Sequence, residues 1–195
     1  MHREVQGQKT KLRPGVWGFS EQELERRYRW SLDDELQYWS GTIPGGRNYQ
    51  QFCSTVGQRD WPGDGRRISY AILTHQSELI GMVSCYGVDR RRRTGEIGIY
   101  IGEKPLWSHG YGTDALSAFL TLLFDDLDFD SVYLHTYESN VRAQHSYQRT
   151  GFRRAETRRR YSSRVGYHVE VKMTIAAAHF QQQLAGQPAA IPATR

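Results

Sequence analysis

A chain of 195 residues, 38% of them apolar, is long enough to bury a sizeable core as one domain. It holds no run near the ~20 apolar residues that span a bilayer, and its first residues lack the apolar stretch of a signal peptide, so a cytoplasmic protein is expected. The net charge of +5 would suit an anionic partner, but the arginines at 90–93, 153–154 and 158–160 are not interleaved with aromatic residues as on a nucleic-acid stacking platform; solvated loops, or a basic rim that attracts a ligand's phosphates, are the readings.

In chain order, residues 1–10 are polar and expected to be flexible. Residues 11–18 suit a short edge strand limited by Pro14. Ser20 and Glu23 form a Ser-x-x-Glu capping box before a helix that carries Leu24, Tyr28 and Trp30. Ser31, with Asp33 and Asp34, reads as a second helix start leading to Tyr38 and Trp39. After a loop over 41–46, a third helix begins beyond Asn48 with Phe52 and Val56, and a second loop spans 58–66. Ile68, Tyr70 and Ile72 then alternate, and residues 79–88 return as the second strand of a hairpin. A third strand carries Ile97, Ile99 and Ile101. Ala115, Leu116, Phe119, Leu120, Leu123 and Leu127 mark one face of a helix. A short strand over 131–137, a helix from Asn140 to Gly151, and strands over 152–161 and 167–175 follow. Residues 178–195 form a loose tail, with room for a short helix at its start. This order predicts a mixed α/β domain over 11–177, its central sheet mostly antiparallel and flanked by helices on both faces. Cys53 and Cys85 read as packed thiols rather than a disulfide, and the seven histidines show no ligand-like spacing, so no metal is expected.

Two stretches carry chemistry. The strand over 96–101 passes Pro105 and reaches Gly110 and Gly112 at the start of the long helix. Such a turn lets a backbone approach closely, points free N–H groups outward and presents the positive end of a helix dipole, which together suit phosphate. A plain tight turn is an equal reading of the glycines alone. Further on, Asn140, Ala143, Tyr147 and Gly151 are spaced by three, four and four residues and share one helix stripe. Spacing alone leaves Tyr147 as either a packing residue or an acid.

Trp107-Ser-His-Gly-Tyr-Gly-Thr-Asp-Ala115, followed by Asn140-x-Arg-Ala-x-x-x-Tyr147-x-x-x-Gly-Phe152, resembles the GNAT superfamily of N-acetyltransferases. The likeness extends over residues 10–177 and is nearest to the branch of ribosomal-protein N-terminal acetyltransferases. It implies the acyl-CoA N-acyltransferase fold and acetyl-CoA as acetyl donor. It also implies that the backbone of Trp107, His109, Gly110, Tyr111, Gly112 and Thr113 holds a diphosphate. Trp107 departs from the Arg or Gln of the family pattern, which removes a polar or charged side chain and leaves the backbone cradle. The resemblance further implies that Ile99, Tyr100 and Ile101 pair with the donor's pantetheine arm as an added strand would. Asn140 and Ala143 are implied to touch the same arm, and Tyr147 to be the general acid that protonates the leaving thiolate.

The chemistry fits these residue types. An amine must lose a proton, attack a thioester and form a tetrahedral oxyanion before a thiolate leaves. Glu96, on the strand beside the expected thioester, is the candidate base, directly or through water; an ordinary charged residue near a strand end is the alternative. His109 reads as a solvent-facing turn residue, with a phosphate contact as the alternative, His135 as structural or exposed, and His145 as lying off the Tyr147 stripe; Asp33, Asp34 and Glu35 with Trp30, Tyr38 and Trp39 read as a helix cap plus core aromatics, with an acceptor site for a cationic amine as the alternative. The expected reaction is direct acetyl transfer to a primary amine, either a protein N-terminus or a small molecule, with a homodimer possible through the terminal strands. A non-catalytic module that binds acyl-CoA or nucleic acid on the same fold is the competing reading.

Overall fold

The computed structural model describes residues 3–40, 48–60, 66–162 and 165–186. The expected loop at 41–46, residues 61–65 of the expected loop at 58–66, and residues 187–195 of the expected tail lie outside the described residues. Strands β1 (Val5–Gln6) and β2 (Thr10–Pro14) open the chain, followed by helices α1 (Glu21–Ser31), α2 (Asp34–Ser40) and α3 (Tyr49–Asp60). The hairpin β3 (Arg67–Thr74) and β4 (Leu79–Asp89) leads to β5 (Thr94–Ile101), helix α4 (Tyr111–Thr121) and β6 (Ser131–Tyr137). Helix α5 (Val141–Arg149), β7 (Arg153–Ser162), β8 (Gly166–Ala176) and α6 (Ala177–Gly186) complete it.

Local sequence accounts for most of these boundaries. At α1 the capping box forms as expected: Ser20 Oγ accepts from the Glu23 N–H at 3.3 Å, and Glu23 Oε2 accepts from the Ser20 N–H at 2.8 Å. The second helix starts later than expected, because Asp33 rather than Ser31 caps it, its Oδ1 accepting from the Leu36 N–H at 3.0 Å. Asn48 Oδ1 caps α3 in the same way, through the Gln51 N–H at 2.9 Å. That helix runs on to Asp60, three residues into the expected loop. Gly151, at φ +97°, takes the left-handed turn that stops α5, a conformation glycine adopts without a Cβ penalty.

The described strands form one sheet in the order β1-β2-β3-β4-β5-β6-β8-β7. Every neighbouring pair is antiparallel except β5 and β6, which run parallel across the α4 crossover. Two expectations need correction. The strand near Pro14 is not an edge: β2 lies between β1 and β3, and the edge strand β1 comes from residues expected to be flexible. Val5 is buried, and the turn after β1 is bound to α4, which supplies the order that its polar sequence does not announce. The short helix for which the start of the tail had room is present as α6, whose Phe180 packs on Phe124.

Both faces of the sheet are covered, as expected. On one side, Ala115, Leu116 and Phe119 of α4 and Phe180 of α6 pack against Tyr70, Ile72, Ile97, Val171 and Met173. On the other, Trp30 of α1 and Leu36 of α2 pack against Ala71, Met82 and Tyr100. Gly102 allows that second layer to close: a Cβ there would lie inside the Trp30 ring. Cys85 is buried and Cys53 half-buried, both as free thiols.

Candidate active site

The site begins with a fault in the sheet. Strands β5 and β6 pair at only three positions, Thr94 with Ser131, Gly95 with Val132 and Glu96 with Tyr133. Beyond Glu96, β5 stays in register with β4 as far as Ile101, while β6 stays with β8 as far as Tyr137. The two strands therefore diverge, and the sixth-strand side of β5 over 97–101 keeps backbone groups for another partner. A cleft of about 320 Å³ fills the opening. Its strand wall is Ile99, Tyr100 and Ile101, its helical wall Asn140, Ala143, Ser146 and Tyr147, and its far end Trp107, Gly110, Gly112 and Thr113.

The far end is the Gly-x-Gly turn. Ser108 (φ 64°) and Gly110 (φ 86°) both adopt left-handed backbone on either side of His109, a conformation that turns successive N–H groups inward on a small concavity. Gly110 caps α4 without a side-chain hydrogen bond, so the N–H groups of the first helical turn are left for a ligand. At Gly112 a Cβ would meet nothing nearer than Ile101 Cγ1 at 3.7 Å, so protein packing does not demand glycine there; a side chain would instead enter the cleft. Trp107 ties the turn to the strand, its Nε1 donating to the Ile101 carbonyl at 2.8 Å. Positive charge comes from elsewhere. Arg142 stacks 3.6 Å from the Trp107 ring centroid, and Lys9 Nζ donates to the His109 carbonyl at 2.9 Å.

The helical wall is set by Asn140. Its Oδ1 accepts from the Ala143 N–H at 3.2 Å and so caps α5. Tyr147 lies one turn on, half-buried, with its ring 6.1 Å from that of Phe152. Its hydroxyl forms no hydrogen bond with the described residues. Burial raises its pKa to about 12, against a small opposing pull from the Arg142 cation, so the phenol is protonated at neutral pH.

Glu96 stands at the closed end, on the opposite face of β5 from Ile97. Its Oε1 accepts from Tyr86 Oη at 3.0 Å and pairs with His135 Nδ1 at 2.8 Å. Burial, reinforced by the Glu96 charge, pushes the Tyr86 phenol up, which keeps it a donor to the carboxylate.

Of the residues picked out from sequence, Ile99, Tyr100, Ile101, Trp107, Gly110, Gly112, Thr113, Asn140, Ala143 and Tyr147 all line the cleft, whereas Glu96, His109 and Tyr111 do not. His109 turns its ring back on the Trp107 carbonyl at 2.8 Å, and Tyr111 packs into the α4 layer. Sequence reasoning missed Arg142 and Arg149, which line the cleft from α5, and Leu36, which lines it from α2; it named His145 and Trp39 but set both aside, and both line the cleft. The signal for Arg142 and Arg149 was available: they flank the Asn140–Tyr147 stripe on a nine-residue helix.

The chain's similarity to known proteins agrees with this geometry. The family model "Acetyltransferase (GNAT) domain" matches residues 16–153. No curated protein sequence matches the chain. Among solved structures, spermidine N-acetyltransferase from Vibrio cholerae in complex with CoA and spermine superposes with a TM-score of 0.75 at 17% identity, covering 89% of this chain and 98% of that one. A putative acetyltransferase from T. thermophilus gives 0.75 at 18% identity, covering 95% of each chain. A GNAT-family acetyltransferase from Bacillus anthracis gives 0.73 at 15% identity, covering 90% of this chain and 99% of that one. A family model that spans most of the domain, on the fold and around the cleft just described, means that the chain belongs to the GNAT family, the acetyl-CoA-dependent N-acetyltransferases.

Proposed function

We propose that this protein transfers the acetyl group of acetyl-CoA to a primary amine by direct attack in the β5–β6 cleft. The observation that carries the reading is the divergence of those strands, because it brings a free N–H turn, an unpaired strand edge and the unpartnered Tyr147 hydroxyl onto one track. The N–H groups between Ser108 and Thr113 are disposed to take the donor's diphosphate, with Lys9 and Arg142 adding charge beside the turn. The edge of β5 from Ile97 to Ile99 offers backbone donors and acceptors to the amide-rich arm, the Ile101 carbonyl already accepting from Trp107. The donor supplies a thioester, an acyl carbon open to attack with a thiolate as leaving group.

The amine nitrogen forms the new bond to that carbon and loses its proton toward the Glu96 end of the cleft. As the carbon–sulfur bond breaks, Tyr147 gives its proton to the sulfur. A phenol with a pKa near 12 holds that proton until strong negative charge develops on the acceptor atom, which suits it to this moment. The acceptor amine is a protein N-terminus or a small molecule. The motif likeness to the ribosomal-protein N-terminal branch supports the first, and the structural neighbour bound to CoA and spermine supports the second.

Two measurements test the reading. Acetyl-CoA in excess should raise Tm by mass action; no shift at millimolar concentration refutes the site. Tyr147→Phe should reduce kcat for thiol release by about 10²–10⁴-fold, the usual scale for a positioned acid, while leaving the acetyl-CoA shift in place. An unchanged kcat removes Tyr147 from the mechanism.

A further inference from the structure

We propose that His135 is the group that takes the proton from the acceptor amine, and that Glu96 is a positioning residue acting through it; this rests on the acetyltransferase reading above. Glu96 is poorly placed to serve as a free base. Its Oε1 already accepts two hydrogen bonds, from Tyr86 Oη at 3.0 Å and from His135 Nδ1 at 2.8 Å, and both residues of the pair stand just outside the lining of the cleft. A carboxylate can only accept, so the Nδ1 of His135 carries the shared proton. In the neutral imidazole the lone pair is then on Nε2, which forms no hydrogen bond with the described residues. This is the arrangement of an oriented base, in which the carboxylate fixes the tautomer and ring plane and stabilises the charge gained when the ring picks up a proton.

Place supports the same assignment. Glu96 and Tyr133 are the last paired residues before β5 and β6 diverge, and His135 is two residues further along β6. Alternation along the strands puts His135, Tyr133 and Glu96 on the face that carries Tyr100 and the α1–α2 layer, away from the α4 layer against which Tyr147 packs. The His135 side chain retains 30% exposure against 23% for Glu96, so the imidazole is the more open of the two. Its ring is braced by Tyr133, with centroids 5.6 Å apart. The charged and titratable groups around it are Glu96 on β5, Tyr86 on β4, Tyr133 on β6, and Lys172 and Glu170 on β8. Lys172 is its cross-strand partner, with its ammonium 4.4 Å from the Tyr133 centroid. Arg67 on β3 lies behind Tyr86 at 5.8 Å.

The sequence offered two readings of Glu96 and left His135 as structural or exposed; the 2.8 Å contact joins them into one device. It assigns the roles in order. The amine nitrogen gives its proton to Nε2 as it bonds to the acyl carbon, Nδ1–H stays on Glu96, and the imidazolium later releases its proton to water.

The test is steady-state thiol release from acetyl-CoA with three acceptors, spermidine, ethanolamine and a hexapeptide with a free N-terminus. Wild type, His135→Gln, Glu96→Gln and the double variant are compared from pH 5.5 to 9, with the acetyl-CoA Tm shift measured on each. The expected result is a fall in kcat of about 10²–10⁴-fold for His135→Gln, with the cofactor shift retained and the acid limb of the wild-type pH profile lost. Glu96→Gln should cost less, and the double variant no more than His135→Gln, because residues acting as a unit are not additive. Wild-type kcat and an unchanged pH limb in His135→Gln overturn the proposal. So does a further loss on adding Glu96→Gln, which would put the carboxylate itself on the amine. Absence of the wild-type cofactor shift, or of turnover with every amine, refutes the acetyltransferase reading and this proposal with it. Should His135→Gln not fold, ¹⁵N-histidine spectra of the wild type decide. The ring must be Nδ1-protonated when neutral and must titrate with the acid limb, and a mismatch overturns the assignment.

Discussion

The contact most open to a quantitative test is the one that holds the edge of the sheet to the phosphate turn. Asp114, in the first turn of α4, accepts from the N–H groups of Gln8 at 2.8 Å, Lys9 at 3.0 Å and Thr10 at 2.9 Å, and from Thr10 Oγ1 at 2.7 Å. Asp114→Ala removes all four. Gln8 and Lys9 are exposed, so water takes over their N–H groups at little cost; Thr10 is fully buried, and its two donors are left without an acceptor. Hydrogen bonds to a charged group contribute about 1.5–3 kcal/mol each and unsatisfied buried donors are expensive, which puts the loss at about 3 kcal/mol. For a domain of this size that is a fall in Tm of roughly 6–12 °C, measured by calorimetry. Gly7→Ala attacks the same contact from the other side, because a Cβ at Gly7 would collide with the Asp114 carboxylate. The double variant should therefore lose less than the sum of the two single losses, the remainder coming from the Cβ's 2.9 Å approach to Thr10 Oγ1. A Tm within about 2 °C of wild type for Asp114→Ala, or full additivity with Gly7→Ala, refutes the reasoning.

Three further outcomes follow from the geometry. Gly112→Ala should leave Tm within about 1–2 °C, since its methyl meets only open space beside Ile101 and Gly-to-Ala exchange favours a helix, yet it should abolish most of the acetyl-CoA shift. An unaffected shift would place the diphosphate elsewhere. Tyr147 contributes a pH dependence of known sign. Its folded pKa of about 12 exceeds the unfolded phenol's value of about 10, so its contribution is complete below about pH 10 and is lost as pH rises toward 12; urea midpoints should fall more steeply over that window in wild type than in Tyr147→Phe. Cys85 is buried and its thiol is pushed to about 12 by burial and the Glu96 charge, so maleimide at about pH 8 should label Cys53 and leave Cys85 unmodified in mass spectra.

What the sequence disclosed, and what it hid, divides by range. Helix starts were legible because Ser20, Asn48 and Asn140 act on residues three positions away, well inside a reading window. The Gly110–Gly112 turn and the Asn140–Tyr147 stripe were legible for the same reason, and the cleft assembles both. The N-terminal edge was not, because two residues of β1 have no pattern of their own and depend on Asp114, over a hundred positions away. Nor was the Glu96–His135 pair, which joins side chains 39 positions apart on strands that meet only through the parallel crossover. The loss of a charged side chain at Trp107 looked from sequence like a simple subtraction. In the fold, Arg142 lies over the indole and Lys9 reaches the turn from the chain's first hairpin, so charge returns through residues that share no motif with the loop.

The two groups proposed to handle protons lie on opposite faces of the sheet, and the split between β5 and β6 would allow both to reach one carbon. In a continuous sheet the backbone ladder would separate a residue on the α4 face, such as Tyr147, from one on the α1–α2 face, such as His135. With the ladder open beyond Glu96, an acyl group lying between the strands would be exposed to both sides at once. The sulfur's proton then comes from the α4 side and the amine's proton departs toward the α1–α2 side, without either crossing the other. That division also separates the requirements on the two groups. The phenol holds its proton at neutral pH with or without burial, and burial of Tyr147 raises its pKa further, to about 12. The base needs contact with an incoming amine, and His135 is the more exposed of the pair at that end. On the proposed reading, acceptor choice would be set by Leu36 and Trp39, which line the cleft from α2, while the turn at the start of α4 would hold the donor. Substitutions at Trp39 should accordingly change which amine is acetylated and leave the acetyl-CoA shift in Tm untouched; a loss of that shift in Trp39→Ala would show that the two sides are not separate.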